Sequence, residues 1–265
     1  MKIKILFEDK NILVLDKPAG VAVHADAKTV DGDEDTVADF ITTYDKSIAK
    51  VGEPMSIEYK GKNIEIKRPG IVHRLDKETS GVLVVAKNQK TFNFLKEQFQ
   101  NHTIQKVYRA FVYGFVSDPK ASLLTGKRGV IDVPIGRSPK DIRMWTAGRG
   151  AKVPLREAVT EYIILNKFSD TKSEKPTVDH QFSYVEVYPK TGRTHQIRVH
   201  MRYINHPVVS DPLYRGEKDL ALHMKRLALH ALSITFRMPN GELKTVESPL
   251  PADFKKVIKE YLPLK

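Results

Sequence analysis

The chain has 265 residues, of which 41% are hydrophobic and 29% charged, the make-up of one large or two modest globular domains, and this excludes a disordered or fibrous protein. Its 44 Lys and Arg against 32 Asp and Glu leave a net charge of +12, which points to a polyanionic partner such as nucleic acid or an anionic membrane surface. With no cysteine, disulfides, thiolate nucleophiles and Cys-ligated metal centres are excluded. No apolar run approaches the roughly 18 residues of a membrane span. Glu8, Asp9 and Lys10 interrupt the N-terminal run too early for a signal-peptide core, so a cytoplasmic, membrane-free protein is expected.

In chain order, strand-like runs at residues 2–7 and 12–15 come first. Helical spacing of Val37, Phe40, Ile41 and Tyr44 follows, with Thr36 and Asp39 placed as a capping box. A buried strand is predicted over 81–86, a helix through Phe92, Leu95 and Phe99, and a strand over 107–116. Residues 118–156 are basic and punctuated by Gly and Pro, and read as exposed connections able to track phosphates. Strands over 159–165, 182–188 and 231–238 complete one large sheet, and a last helix through Phe254, Val257, Ile258 and Tyr261 follows Pro251. Without strict alternation of strand and helix, the fold class is α+β.

Charge is spread unevenly. Residues 26–45 hold seven acids against Lys28, whereas 101–160 hold eleven Lys and Arg against four acids, 11 − 4 = +7. Asp31, Asp33 and Asp35 match the first ligand positions of a calcium loop, but Thr36 stands where the sharp-turn Gly belongs and Thr42 where the bidentate Glu belongs, so a solvated loop is the better account.

Three strings carry chemistry. In RPGIVHRLDKETSGVLVVAK (68–87), Asp76 sits between Arg74 and Lys77, cations that favour the ionised form a carboxylate nucleophile needs; an ordinary surface ion pair fits the same residues. In YPKTGRTHQIRVHMR (188–202), Arg193 and Arg198 suit phosphate or carboxylate pairing, while His195 and His200, five apart, do not share a helical face for zinc. In KVYRAF (106–111), alternation puts Lys106 and Tyr108 on one face of a strand, as base stacking beside a cation requires and as a half-buried strand Tyr also would.

HRLDKETSGVLVVAK, the KxYxAxVxG pattern filled by Lys106, Tyr108, Ala110, Val112 and Gly114, and TGRTHQIRVHM occur in this order, with NHPVVSDPLYRG behind them. Together they resemble the RluA-type pseudouridine synthases, which isomerise uridine in ribosomal or transfer RNA. The resemblance runs over about residues 5 to 245. It implies an α+β fold with a large mixed, mainly antiparallel sheet flanked by helices, and a single catalytic domain over 1–265 without a separate N-terminal S4 domain. It further implies that Asp76 is the catalytic aspartate, Tyr108 the tyrosine beside the target uracil and Arg198 the arginine paired with the aspartate. Arg74 resembles the arginine that contacts RNA and assists extrusion of the uridine, and His73 marks the RluA-type branch. His73, Lys106 and Arg193, with Lys127, Arg128 and Lys140 of the basic loops, complete the expected RNA-binding set. Isomerisation gains and loses no atom, so neither cofactor nor metal is expected; the expected partner is structured RNA, rRNA or tRNA, met by a monomer. Two departures stand out: Glu78 where Asp is usual, and Ser210 in place of a Gly before Asp211-Pro212. A non-catalytic RNA-binding protein on the same fold, or a hydrolase using Asp76 and His195, are the competing readings.

Overall fold

A computed structural model describes residues 1–25, 35–117, 128–170 and 180–262. Asp31 and Asp33 of the calcium-loop reading, and Lys127 of the RNA-binding set, lie outside the described residues. In chain order the elements of the first half are β1 (Lys4–Glu8), β2 (Ile12–Lys17), α1 (Val37–Tyr44), β3 (Met55–Tyr59), β4 (Lys62–Ile66), β5 (Ser80–Ala86), α2 (Gln89–Gln100) and β6 (Gln105–Tyr113). They continue with β7 (Gly129–Asp132), β8 (Ile135–Arg137), β9 (Trp145–Ala147), β10 (Lys152–Arg156), β11 (Val159–Ser169) and β12 (Gln181–Pro189). The last are α3 (Gln196–Tyr203), β13 (Leu229–Arg237), β14 (Leu243–Glu247) and α4 (Ala252–Tyr261). Among the described residues the class is α+β, with a large, mainly antiparallel sheet and four α-helices, as expected. The residues group into two compact units, Met1–Gln105 with Ala231–Pro249, and Lys106–His230 with Leu250–Lys265.

In the first unit the strand order is β1-β2-β5-β13, with β14 beside β13. The runs ILVLDK and SGVLVVA are buried at nearly every position, which marks β2 and β5 as central strands covered on both faces. Their antiparallel register sets Ile12 opposite Ala86 and Lys17 opposite Gly81. Gly81 has φ +118, and a Cβ there would lie 2.1 Å from the Ala231 carbonyl oxygen, so no side chain fits. The predicted capping box forms: the Thr36 hydroxyl accepts from the Asp39 N–H while an Asp39 carboxylate oxygen takes the Thr36 N–H at 2.9 Å. The β3/β4 hairpin went unread, although Lys60-Gly61, both at positive φ, between MSIEY and KNIEI carries the two-residue turn signal.

In the second unit β6-β12-β11-β7 form an antiparallel array. The core gathers Phe111, Phe182, Val185, Val187, Ile197, Met201, Phe254 and Val257. Phe111 stacks on Tyr184 at 4.8 Å between ring centroids, and Phe254 lies 5.0 Å from Phe111, tying α4 to the sheet. The stretch read as exposed connections proves partly ordered: β10-β8-β9 form a three-stranded sheet. Its strands have three to five residues, and β10 is exposed at every position, so no apolar alternation announces them.

Candidate active site

In the first unit, Asp76 is half-buried on the turn that leads into β5. The Thr79 N–H donates to the Asp76 carbonyl at 3.0 Å, closing the turn. The next carbonyl, that of Lys77, accepts from the Gly20 N–H and from the Lys17 Nζ, both at 2.9 Å. Lys17 is fully buried, and its ammonium also donates to the Pro18 and Val21 carbonyls at 2.8 Å each. A buried ammonium is tolerated only where its donors are satisfied, so this one ties the end of β2 to the Lys77 carbonyl, one residue beyond Asp76. Leu75, 4% exposed, anchors the other side of Asp76 in the core.

His73 is held as a neutral ring: its Nε2 accepts the Val84 N–H of β5 at 2.9 Å, and it stacks on Phe99 of α2 at 4.6 Å. Arg74 is exposed. Its guanidinium contributes to a depressed pKa at the half-buried Arg68, where burial is the larger cause. The Arg68 Nε is buried without a hydrogen-bond partner, a residue that sequence reasoning passed over because RPG reads as a turn.

In the second unit, Tyr108 lies on β6 opposite Val187 and packs against the core. Lys106, two residues earlier on the strand, donates its Nζ to the Thr191 carbonyl at 3.0 Å, and burial pulls its pKa from 10.5 to about 8. Arg109, one residue on from Tyr108 on β6, stands opposite Glu186 of β12 and pairs with it at 2.6 Å.

The polar string at 188–202 becomes a wired loop and a helix. Gln196, 4% exposed, accepts from the Thr191 hydroxyl at 2.7 Å and the Arg193 N–H at 3.0 Å, and donates to Val159 and Thr160, both at 3.0 Å. The Arg193 Nε donates to the Glu157 carbonyl at 2.9 Å. His200 is fully buried between the Thr160 hydroxyl and the Val133 carbonyl, and burial lowers its pKa, leaving the ring neutral. His195 caps α3 in the left-handed region, φ 56 and ψ 16, with its Nδ1 2.8 Å from the Tyr214 hydroxyl.

Arg198 is 4% exposed and makes a bidentate pair with Asp211: Nε to Oδ2 at 2.7 Å and Nη2 to Oδ1 at 2.8 Å. Its guanidinium lies 4.9 Å from the centre of the Tyr214 ring. Asp211 was not singled out from sequence; its signal was its place in NHPVVSDPLYRG. Ser210, which replaces the Gly of the pattern, keeps a left-handed φ of 56, and its hydroxyl donates to the Met224 carbonyl at 2.7 Å.

Of the basic-loop set, Lys140 is exposed on the turn between β8 and β9. Arg128 is engaged: it pairs with Glu161 at 2.7 Å and lies 3.7 Å over the Tyr188 ring. The three-stranded sheet and its connections add exposed Arg137, Arg143, Arg149, Lys152 and Arg156. Arg137 and Arg156 lie 4.6 and 5.9 Å from the Trp145 ring centre, so cations and an aromatic alternate there. Among the described residues no cluster of three metal-ligating side chains occurs, and no helix is long and apolar enough to cross a membrane.

Residues 11–203 match the family model for RNA pseudouridylate synthase. The RNA pseudouridine synthase YlyB of Bacillus subtilis is 36% identical over 259 residues, covering 97% of this chain and 72% of that protein. Ribosomal large subunit pseudouridine synthase D of Borreliella burgdorferi is 34% identical over 252 residues, 95% of this chain and 66% of that one. Among solved structures, human RNA pseudouridylate synthase domain containing 4 superposes with a TM-score of 0.66 at 26% identity, covering 96% of this chain and 91% of that chain.

Proposed function

The chain belongs to the RNA pseudouridylate synthase family of isomerases, and from that premise we propose that it converts uridine in structured ribosomal or transfer RNA to pseudouridine with Asp76 as the nucleophilic carboxylate. The observation that carries the reading is the turn around Asp76, whose flanking carbonyls are pinned by Thr79, Gly20 and the buried ammonium of Lys17. Such a turn holds a half-buried carboxylate in one place, which is what attack on a single sugar carbon demands. The reaction breaks the N1–C1′ bond, turns the uracil and joins C5 to C1′, with no atom gained or lost. Tyr108 is the ring that meets the extruded uracil, and Arg198 supplies positive charge to the reaction. Extrusion costs a few kcal/mol and least in loops and single strands, which favours an exposed uridine. Arg74 and Lys106 contact RNA in this reading, and the basic strands β8 to β10 extend the electrostatic footprint. His73, Arg193 and Arg128 are fixed by protein partners and support the RNA face by holding its backbone in place.

Mapping pseudouridine across total RNA with and without the protein names the substrate. With that RNA in hand, Asp76→Asn is expected to abolish product while RNA affinity stays within about threefold, because the amide keeps the shape and loses the nucleophile. Residual turnover within about tenfold of wild type would remove Asp76 from the chemistry. Shortened RNA in place of full-length product would indicate a hydrolase, and binding without product by the wild type a non-catalytic protein.

A further inference from the structure

We propose that Asp211 is the positioning residue for Arg198, an inference that rests on the reading of Arg198 given above. Asp211 is fully buried, and each of its carboxylate oxygens has assigned work. Oδ2 accepts from the Arg198 Nε, while Oδ1 accepts from the Arg198 Nη2 and from the N–H groups of Leu213 and Tyr214 at 2.9 and 3.0 Å. The two backbone bonds fix the carboxylate against its own turn, and the two guanidinium bonds then fix the plane of Arg198 and the direction of its Nη1 edge.

Tyr214 closes the arrangement from the side. It is 1% exposed, and its ring stands beneath the guanidinium. Its hydroxyl accepts the Trp145 backbone N–H at 2.8 Å and shares a second hydrogen bond with the His195 Nδ1 at 2.8 Å. Its carbonyl takes the Arg202 Nη1 at 2.6 Å. Every polar group of the Tyr214 residue is therefore engaged, and the ring cannot swing away to release Arg198. Arg198 has no freedom to follow substrate: its charge arrives preorganised, with the reorganisation cost met in folding.

The test is a mutant cycle read by single-turnover pseudouridine formation at saturating enzyme, with RNA affinity measured separately. Asp211→Asn keeps Oδ1 for Leu213, Tyr214 and one Arg198 N–H, but turns an NH2 group toward the Arg198 Nε. It is expected to lower the rate at least tenfold with RNA affinity within twofold. Arg198→Lys, which loses the fork, is expected to lower the rate similarly, and the double variant is expected to be no slower than the slower single one. A purely structural role for Asp211 gives a different pattern: lower thermal stability with an unchanged rate per folded molecule. Either an Asp211→Asn rate within twofold of wild type or multiplying effects would overturn the inference. Where Asp211→Asn does not fold, Asp211→Ser, which keeps an oxygen for the two backbone N–H groups, carries the same expectations. Arg198→Lys with wild-type turnover would sink the reading of Arg198 and this inference with it; a slow Arg198→Lys beside an unaffected Asp211→Asn would sink this inference alone.

Discussion

Lys106 and Tyr108 are neighbours on one strand face, and each makes a separate demand on the chemistry. With a pKa of about 8, Lys106 is protonated at pH 7 and loses its charge as pH rises past 8. RNA affinity is expected to fall between pH 7 and 9 in the wild type, and less steeply in Lys106→Arg, whose guanidinium stays charged. Parallel pH profiles for the two would place Lys106 away from RNA. The same shift has a stability consequence of fixed sign. The folded pKa lies below the unfolded value of 10.5, so the unfolded chain binds the proton more tightly and the group destabilises the fold most fully below pH 8. Lys106→Met is therefore expected to raise Tm near pH 7 and to lose that advantage as pH climbs toward 10.5. For Tyr108 the hydroxyl is the question. Tyr108→Phe retains a stacking face worth ~1–3 kcal/mol per base, so it should bind RNA normally. If the hydroxyl helps remove the C5 proton after the new C–C bond forms, as we expect, tritium release from 5-tritiated uridine stalls in Tyr108→Phe; near-wild-type release would leave the residue a stacking platform only.

Elements set the limits within which those side chains act. The turn into β5 depends on Gly81, where a Cβ would strike the Ala231 carbonyl of β13. Gly81→Ala is expected to cost roughly 2 kcal/mol or more, a Tm loss of several degrees, and to depress turnover through displacement of the neighbouring Asp76 turn. Unchanged melting and turnover would mean that β5 and β13 separate easily at that point. Ser210 offers the converse case, a left-handed position held without glycine. Its bond to Met224 offsets the backbone cost, so Ser210→Gly is expected to be nearly neutral and Ser210→Ala destabilising by about 1–2 kcal/mol in denaturant melts. The exposed cations of β8 to β10 bear on binding instead. Neutralising Arg137, Lys140 and Lys152 together is expected to weaken RNA binding and to flatten its logarithmic salt dependence by about 0.7–0.9 for each phosphate left unneutralised. An identical slope would show that this sheet faces away from RNA. Arg128, engaged by Glu161 and Tyr188, should instead register in thermal stability when replaced.

Across the whole molecule, charge and chemistry are separable, since +12 is distributed over many side chains and the reaction turns on a few. Association of RNA with Asp76→Asn is thus expected to keep the wild-type rate and salt sensitivity. The sequence by itself determined the α+β class, the strand runs that become β2 and β5, the Thr36 capping box and the motifs around Asp76, Tyr108 and Arg198. Each of these is local: an apolar run, a spacing of three, or a string of consecutive residues expresses it without reference to distant chain. What only the tertiary structure decided is which partners those residues keep. Arg198 and Asp211 are thirteen positions apart, Lys17 and Lys77 sixty, and Trp145 and Tyr214 sixty-nine, so no periodicity joins them. The sheet of β8 to β10 escaped reading for a related reason, because strands of three residues are too short to show an alternation and the five-residue β10 is exposed throughout. A buried ion pair or a pinned carbonyl gains its strength from removal of water, and burial is a property of the folded chain that the order of residues does not display.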